Sequence, residues 1–260
     1  MADVLATLET WLVDPWIGGS AGALLGAVIG SFLATILIRW PQGRSALGGR
    51  SACDACAAPL GARDLVPILS FLFARGWCRV CGARIDRRHL GMELAGAMVG
   101  AAAIAAHGWP LGGVTGLLGW WLLLVIALDA EHHWLPDALT LPLIPLGLLA
   151  AWLGFGPPLV DRAIGAAAGG IGLWLIAALY RLVRGRDGMG GGDPKLLAGL
   201  GAWLGWMQLP FILLSAGLIG LGALVIMYER GHGFSSETRL PLGALMAMAA
   251  WPLWLVVAPH

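Results

Sequence analysis

Hydrophobic residues come in long, nearly charge-free runs separated by short polar breaks, with one long polar interruption near the start. Residues 17–38 form the first run, 22 positions without a charged side chain. That length, wound as an α-helix, crosses a hydrocarbon core of about 30 Å. Further runs cover 91–106, 111–128, 139–155, 163–183, 195–209, 211–228 and 240–258. Eight helices are therefore expected, the sixth and seventh being short and divided only by Gln208 and Pro210. Between the first and second runs, residues 39–90 are Arg-rich, contain Pro and carry all four cysteines, which reads as a small extramembrane domain. The expected organisation is an N-terminal segment with the first helix (1–38), a four-cysteine domain (39–90) and a seven-helix core (91–260).

Composition sharpens the fold class. Apolar residues fill 58% of the 260 positions and charged residues only 12%, half the usual charged share of about 25%. With a mean hydropathy of +0.80, this is an all-α polytopic membrane protein. Fourteen Trp suit interfacial anchoring against membrane lipids. The net charge is +1 and no basic run exceeds Arg87-Arg88, so nucleic acid is not an expected partner. Residues 1–15 carry Asp3, Glu9 and Asp14 but no Lys or Arg, so no cleavable signal peptide is expected. Oligomeric state is not legible in the sequence.

Charge placement gives an orientation. With the N-terminus periplasmic, segments 39–90, 129–137, 181–195 and 229–239 face the cytoplasm and contain every Lys and Arg except Arg162. Basic residues favour the cytoplasmic side. Asp129 and Asp193 then emerge on that side, at the ends of apolar runs.

Cys53-x-x-Cys56 and Cys78-x-x-Cys81 enclose 21 residues. Two such knuckles supply four thiolates to a tetrahedral zinc ion, close to a familiar spacing. Two disulfides or redox pairs use the same residues, but a cytoplasmic setting disfavours stable disulfides. Gly82 suits the tight turn of the second knuckle. A domain of this size has little core, so metal binding would supply much of its folding free energy.

The carboxylates each carry a plain structural reading. Asp137 precedes the Ala138-Leu139 helix start and Asp193 precedes Pro194, both N-cap positions. His132 and His133 are adjacent, point about 100° apart on a helix, and read as surface or headgroup contacts. Capping does not account for Gly190, Gly191 and Gly192, which weaken a helix and permit close backbone approach. A carboxylate at the edge of an apolar segment is costly and marks a functional site. Lys195, two residues on, would contact lipid phosphate or substrate.

The motifs, taken in order, resemble those of the bacterial type IV prepilin leader peptidases, membrane aspartic proteases with a GxGD motif. Gly30-Ser31-Phe32-Leu33 resembles the family's GSFLN, and Arg39-Trp40-Pro41 its R-x-P. The two cysteine knuckles follow, with Val66-Pro67-Ile68-Leu69-Ser70 between them. Arg88 and Glu93 fall on the RYP-x-VE segment, and Leu135-Pro136-Asp137 follows Asp129. Residues 188–197 carry the GxGD motif itself. Ala34 replaces the usual Asn, and His89-Leu90-Gly91-Met92 stands where the family has Tyr-Pro-Leu-Val. Both departures lie in the N-terminal half, the part associated with methyl transfer. The resemblance implies catalysis by Asp129 and Asp193, with Gly190, Gly192 and Lys195 in a supporting loop. It implies substrates that are prepilins and type II secretion pseudopilins, cut at the cytoplasmic face of the inner membrane. In many members N-methylation from S-adenosylmethionine follows. No glycine-rich nucleotide signature follows a strand, so donor-binding residues are not assigned.

Helix ends suggest roles for the pair. Asp193 at a helix N-terminus is favoured as the ionised base, and Asp129 at a C-terminus as the protonated acid. Other classes remain: a proton-coupled transporter using the same aspartates, a zinc protease, or a scaffold docking through the cysteine module. The first lacks a visible internal repeat, and the second lacks HExxH spacing.

Overall fold

The structure, a computed structural model, describes residues 15–46, 48, 50–231 and 240–258. Most of the segment bearing on a signal peptide (1–14), and Arg239 of the last basic loop, lie outside the described residues. All eight apolar runs become helical. Five helices are long and apolar enough to cross a membrane: Trp16–Gln42, Arg87–His107, Leu111–His132, Leu159–Arg184 and Trp206–Glu229. Among the described residues there are two isolated antiparallel bridges and no extended strand. The chain divides into two compact units, Met1–Leu124 and Val125–His260.

In the first unit, α1 (Pro15–Arg39) and α3 (Arg87–His107) run antiparallel along a seam of glycines. A Cβ added at Gly22 would come within 2.8 Å of the Gly100 carbonyl carbon, and one at Gly30 within 2.9 Å of the Glu93 Cα. Small residues permit this approach, and backbone packing replaces the hydrophobic drive that lipid cannot supply. Ala34 is fully buried in the same helix. The seam also fixes where Glu93 sits, beside Gly30. Between the two helices lie two short 3-10 turns and α2 (Leu69–Phe73).

The second unit begins within α4 (Leu111–His132) and continues through α5 (Asp137–Thr140), α6 (Leu143–Trp152), α7 (Leu159–Arg184), α8 (Gly192–Leu204), α9 (Leu209–Glu229) and α10 (Leu242–Val257). Its core is α8, in which every residue except Gly192 and Lys195 is buried. Thirteen residues make a rod of only about 20 Å. This segment is the axis on which its neighbours pack. Gly165 of α7 lies against Gly201, whose carbonyl oxygen an added Cβ would meet at 2.5 Å; Gly169 faces Leu197 in the same way. Successive contacts run Gly165 to Gly201 and Gly169 to Leu197, so α7 is antiparallel to α8. On another side, Gly147 of α6 meets Ala202, and the Trp203 indole N–H donates to the Leu143 carbonyl at 3.0 Å.

At the end of α8 away from its first turn, Trp203 and Trp254 meet edge to face at 5.5 Å. Arg162, fully buried, lies over the Trp254 ring at 5.2 Å and donates to the carbonyls of Gly147 and Phe155. With no carboxylate partner among the described residues, Arg162 is held by carbonyls and a ring face, which ties the loop before α7 to α6 and α10.

Candidate active site

Asp129 and Asp193 both belong to the second unit, and each is only 5% exposed. They lie within electrostatic reach of one another. Three helix beginnings converge on them. The residues just ahead of α5 bring Leu135, α8 brings Asp193, and α10 brings Gly243 and Ala244. The Ala244 backbone N–H donates to Asp129 Oδ2 at 2.7 Å, and the Gly190 N–H donates to Asp193 Oδ2 at 3.0 Å. Leu135 fills the notch between the two starts. A Cβ on Gly192 would lie 2.6 Å from the Leu135 Cβ; one on Gly243 would lie 2.5 Å from Leu135 Cδ1 and 3.0 Å from Asp129 Oδ2. Glycine at 192 and 243 is therefore a packing requirement, because a side chain at either position would displace Leu135, and at 243 would also crowd the Asp129 carboxylate.

Three expectations change in detail. Asp193 is not the N-cap of α8. That position is Gly191, and Asp193 sits inside the first turn with its carboxylate bent back to Gly190. Asp137 does not cap either: the N-cap of α5 is Pro136, and the Asp137 carboxylate instead pairs with Lys195 at 2.6 Å. Lys195 thus ties the first turn of α8, which carries Asp193, to the start of α5, which follows the Asp129-bearing end of α4. The role assignment from helix ends also loses its basis. Asp129 lies near the C-terminus of its own helix, but its oxygen accepts an amide at the start of α10. Both carboxylates face amides at or just ahead of a helix start, so helix ends do not separate acid from base.

His132 lies 3.7 Å from Glu131, and His133 adopts φ 49°, at the turn out of α4. Both residues are exposed, and neither joins a metal-ligand cluster among the described residues.

The four cysteines assemble in the first unit. Their Sγ atoms all lie within 4.8 Å of one another, and none forms a disulfide. Thiolates held about 2.3 Å from a tetrahedral zinc lie roughly 3.8 Å apart, so the cluster fits that ion with small closure. The two knuckles are copies: Cys53 N–H donates to Ala58 O and Ala57 N–H to Cys53 O, as Cys78 N–H does to Ala83 O and Gly82 N–H to Cys78 O. Gly82 takes the left-handed turn at φ 68°, and Ala57 takes it in the first knuckle at φ 56°. The backbone N–H groups of Cys81 and Val80 lower the Cys78 thiol to about 6, which prepares it as a thiolate.

Residues 116–225 match the type IV leader peptidase family, and residues 24–107 match the N-terminal domain of the bacterial members of peptidase family A24. A prepilin leader peptidase/N-methyltransferase of Pseudomonas aeruginosa is 38% identical over 253 residues, covering 88% of this chain and 87% of the relative. The chain belongs to the type IV leader peptidase family. Prepilin leader peptidase/N-methyltransferases from Klebsiella pneumoniae and Aeromonas hydrophila are 42% and 37% identical, covering 83% and 91% of this chain and 98% and 90% of their own lengths. No solved structure matches significantly. Membership of this family, together with five helices of crossing length, makes the chain a multi-pass membrane protein.

The sequence pointed to both aspartates, the four cysteines and the glycines. It did not point to Ala244 or Gly243, although Pro241-Leu242-Gly243 opening an apolar run carries a helix-start signal. Nor did it point to the Asp137–Lys195 pair, whose members are 58 positions apart.

Proposed function

We propose that this chain is an aspartic endopeptidase of the inner membrane that removes the leader from type IV prepilins and type II secretion pseudopilins. The observation carrying this reading is the pair of buried carboxylates, Asp129 and Asp193, within electrostatic reach of one another and each receiving a backbone amide. Two close carboxyls resist joint ionisation and share a proton. The ionised member takes a proton from water as that water attacks the scissile carbonyl. The protonated member gives its proton to the departing amide nitrogen. Lys195 and Asp137 hold the starts of α8 and α5 together, and Gly190 and Gly192 let the substrate strand approach Asp193. The transporter alternative draws no support from the relatives.

The eight-segment arrangement, with a periplasmic N-terminus and both aspartates at the cytoplasmic face, rests on the distribution of Lys and Arg. Cys53, Cys56, Cys78 and Cys81 hold a structural zinc ion, which folds the 50–86 segment. N-methylation from S-adenosylmethionine is the second activity, in keeping with the relatives' names. The first unit has a cavity of about 700 Å³, lined by Ser31, Thr35, Phe71, Trp77 and Glu93 among others. It has room for such a donor, whose sulfonium sulfur supplies the methyl group. The test of the peptidase is incubation of the purified protein with a prepilin in detergent. Leader loss is expected with the wild type and none with the Asp129→Ala, Asp193→Ala double variant. Retained cleavage in the double variant excludes the aspartyl mechanism.

A further inference from the structure

Glu93 is a buried acid that peptide cleavage does not use. It lies one turn and a half into α3, only 5% exposed, and is one of the residues lining the 700 Å³ cavity of the first unit. The other acids on that wall are already neutralised: Asp54 by Arg39 and Arg44, Asp64 by Arg79, and Asp86 by Arg88. Glu93 has no basic partner among the described residues. Its Oε2 accepts the Ile68 N–H at 2.7 Å.

Ile68 is itself unusual. It sits at φ 65° and ψ −56°, and the Leu69 N–H reaches over it to the Pro67 carbonyl at 2.6 Å. This is the rare, strained form of the three-residue turn, adopted here by a β-branched side chain. Such conformations persist where the surroundings force them, and they gather at binding and catalytic sites. A backbone turn held in a costly conformation by a buried carboxylate, on the wall of a cavity, is how a protein fixes a charged group for a ligand. Phe32, Phe71 and Val28 line the same cavity, so the ligand that fits carries a cationic head on an apolar body.

We propose that Glu93 receives the α-ammonium group at the apolar N-terminus of the cleaved pilin and holds it for methyl transfer. This rests on the reading of the chain as an N-methyltransferase as well as a peptidase. The ammonium gives one proton to the Glu93 carboxylate. The freed nitrogen lone pair then bonds to the methyl carbon of a sulfonium donor, and the carbon–sulfur electron pair stays on sulfur, leaving a thioether. The carboxylate thus has two tasks, orienting the amine and accepting its proton.

The test uses the full-length protein in detergent and a short pilin N-terminal peptide already lacking its leader, so it does not depend on Asp129 or Asp193. The peptide is prepared with a free amine and with an acetylated one, each labelled at its far end. Wild type is expected to bind the free-amine form about tenfold more tightly, whereas Glu93→Gln, whose amide oxygen still accepts the Ile68 N–H, binds the two alike. Methyl incorporation by that variant falls about 100-fold or more, while zinc content and leader removal stay near wild type. Equal wild-type affinity for the two peptides overturns the proposal without any variant. So does a Glu93→Gln protein that still prefers the free amine, one that loses only affinity for the donor, or one that loses zinc and cleavage together, since each gives Glu93 a different role. Asp193→Asn should still methylate the pre-cleaved peptide. If it does while failing to cut prepilin, both readings stand. If it cuts, the peptidase reading alone falls.

Discussion

The two units bury acidic groups in different ways. In the second, two carboxylates lie where three helices begin, and Leu135 and two glycines close the space around them to van der Waals contact. In the first, a lone carboxylate faces an open cavity whose walls are loops tied by two cysteine knuckles and a strained turn. The helical site is narrow and rigid because backbone–backbone packing leaves nowhere for side chains to shift. The loop-walled site is broad and depends on clamps, the thiolate cluster and the Glu93–Ile68 bond, to keep its shape. A narrow pair suits one reaction at one bond. A broad cavity with one acid left out of the ion pairs on its wall suits holding two small partners together.

The sharpest way to break this contrast is to remove one carboxylate from the narrow site. Asp129→Asn and Asp193→Asn are each expected to slow leader removal by about 10²–10⁴-fold or more without loss of helicity, measured by gel shift of a prepilin together with circular dichroism. Substantial turnover in either would mean that the two do not act as a pair. Metal removal should strike only the loop-walled unit. One zinc per chain is expected by elemental analysis. Chelation, or Cys78→Ser, should open the 50–86 segment to trypsin at its arginines while the cleavage pattern within 125–231 is unchanged.

A third substitution tests the packing. Gly192→Ala places a methyl 2.6 Å from the Leu135 Cβ. It should cut activity about tenfold, a displacement effect of roughly 1.4 kcal/mol on the barrier. Leu135→Ala in the same chain should recover part of that loss, because the methyl then has room. If the double variant is worse than Gly192→Ala alone, Leu135 does more than fill the notch. The smallest effect is expected at the Asp137–Lys195 pair. Its side chains are 58% and 41% exposed, so solvent screening leaves it about 0–1 kcal/mol of stability. Lys195→Met should change the thermal midpoint little and the cleavage rate a few-fold at most.

Much of the fold was legible because membrane helices announce themselves by length and lack of charge. Every apolar run became a helix, and the cysteine spacing foretold the cluster. Residues 195–209 were legible as apolar but not as a buried axis, since a helix packed on all sides and one facing lipid have the same composition. Glycines explain the difference: Gly201 marks where the α7 backbone approaches and Gly199 where the Leu143 side chain does, a fact that depends on partners remote in sequence. The aspartates were legible from motif order, but their amide donors were not. Ala244 lies 115 positions from Asp129 and gives a backbone N–H, which no residue type signals. Glu93 was visible only as a motif letter, because its isolation from the arginines and its grip on Ile68 depend on how loop and helix meet.

The central claim is that peptide cleavage belongs to the aspartates of the second unit and not to the carboxylate of the first. Mass spectrometry of the pilin N-terminus after incubation with Asp193→Asn and with Glu93→Gln tests it in one measurement. The account predicts an intact leader with Asp193→Asn, and with Glu93→Gln a correctly cut but unmethylated product. A leader removed by Asp193→Asn, or retained by a folded Glu93→Gln protein, would contradict it.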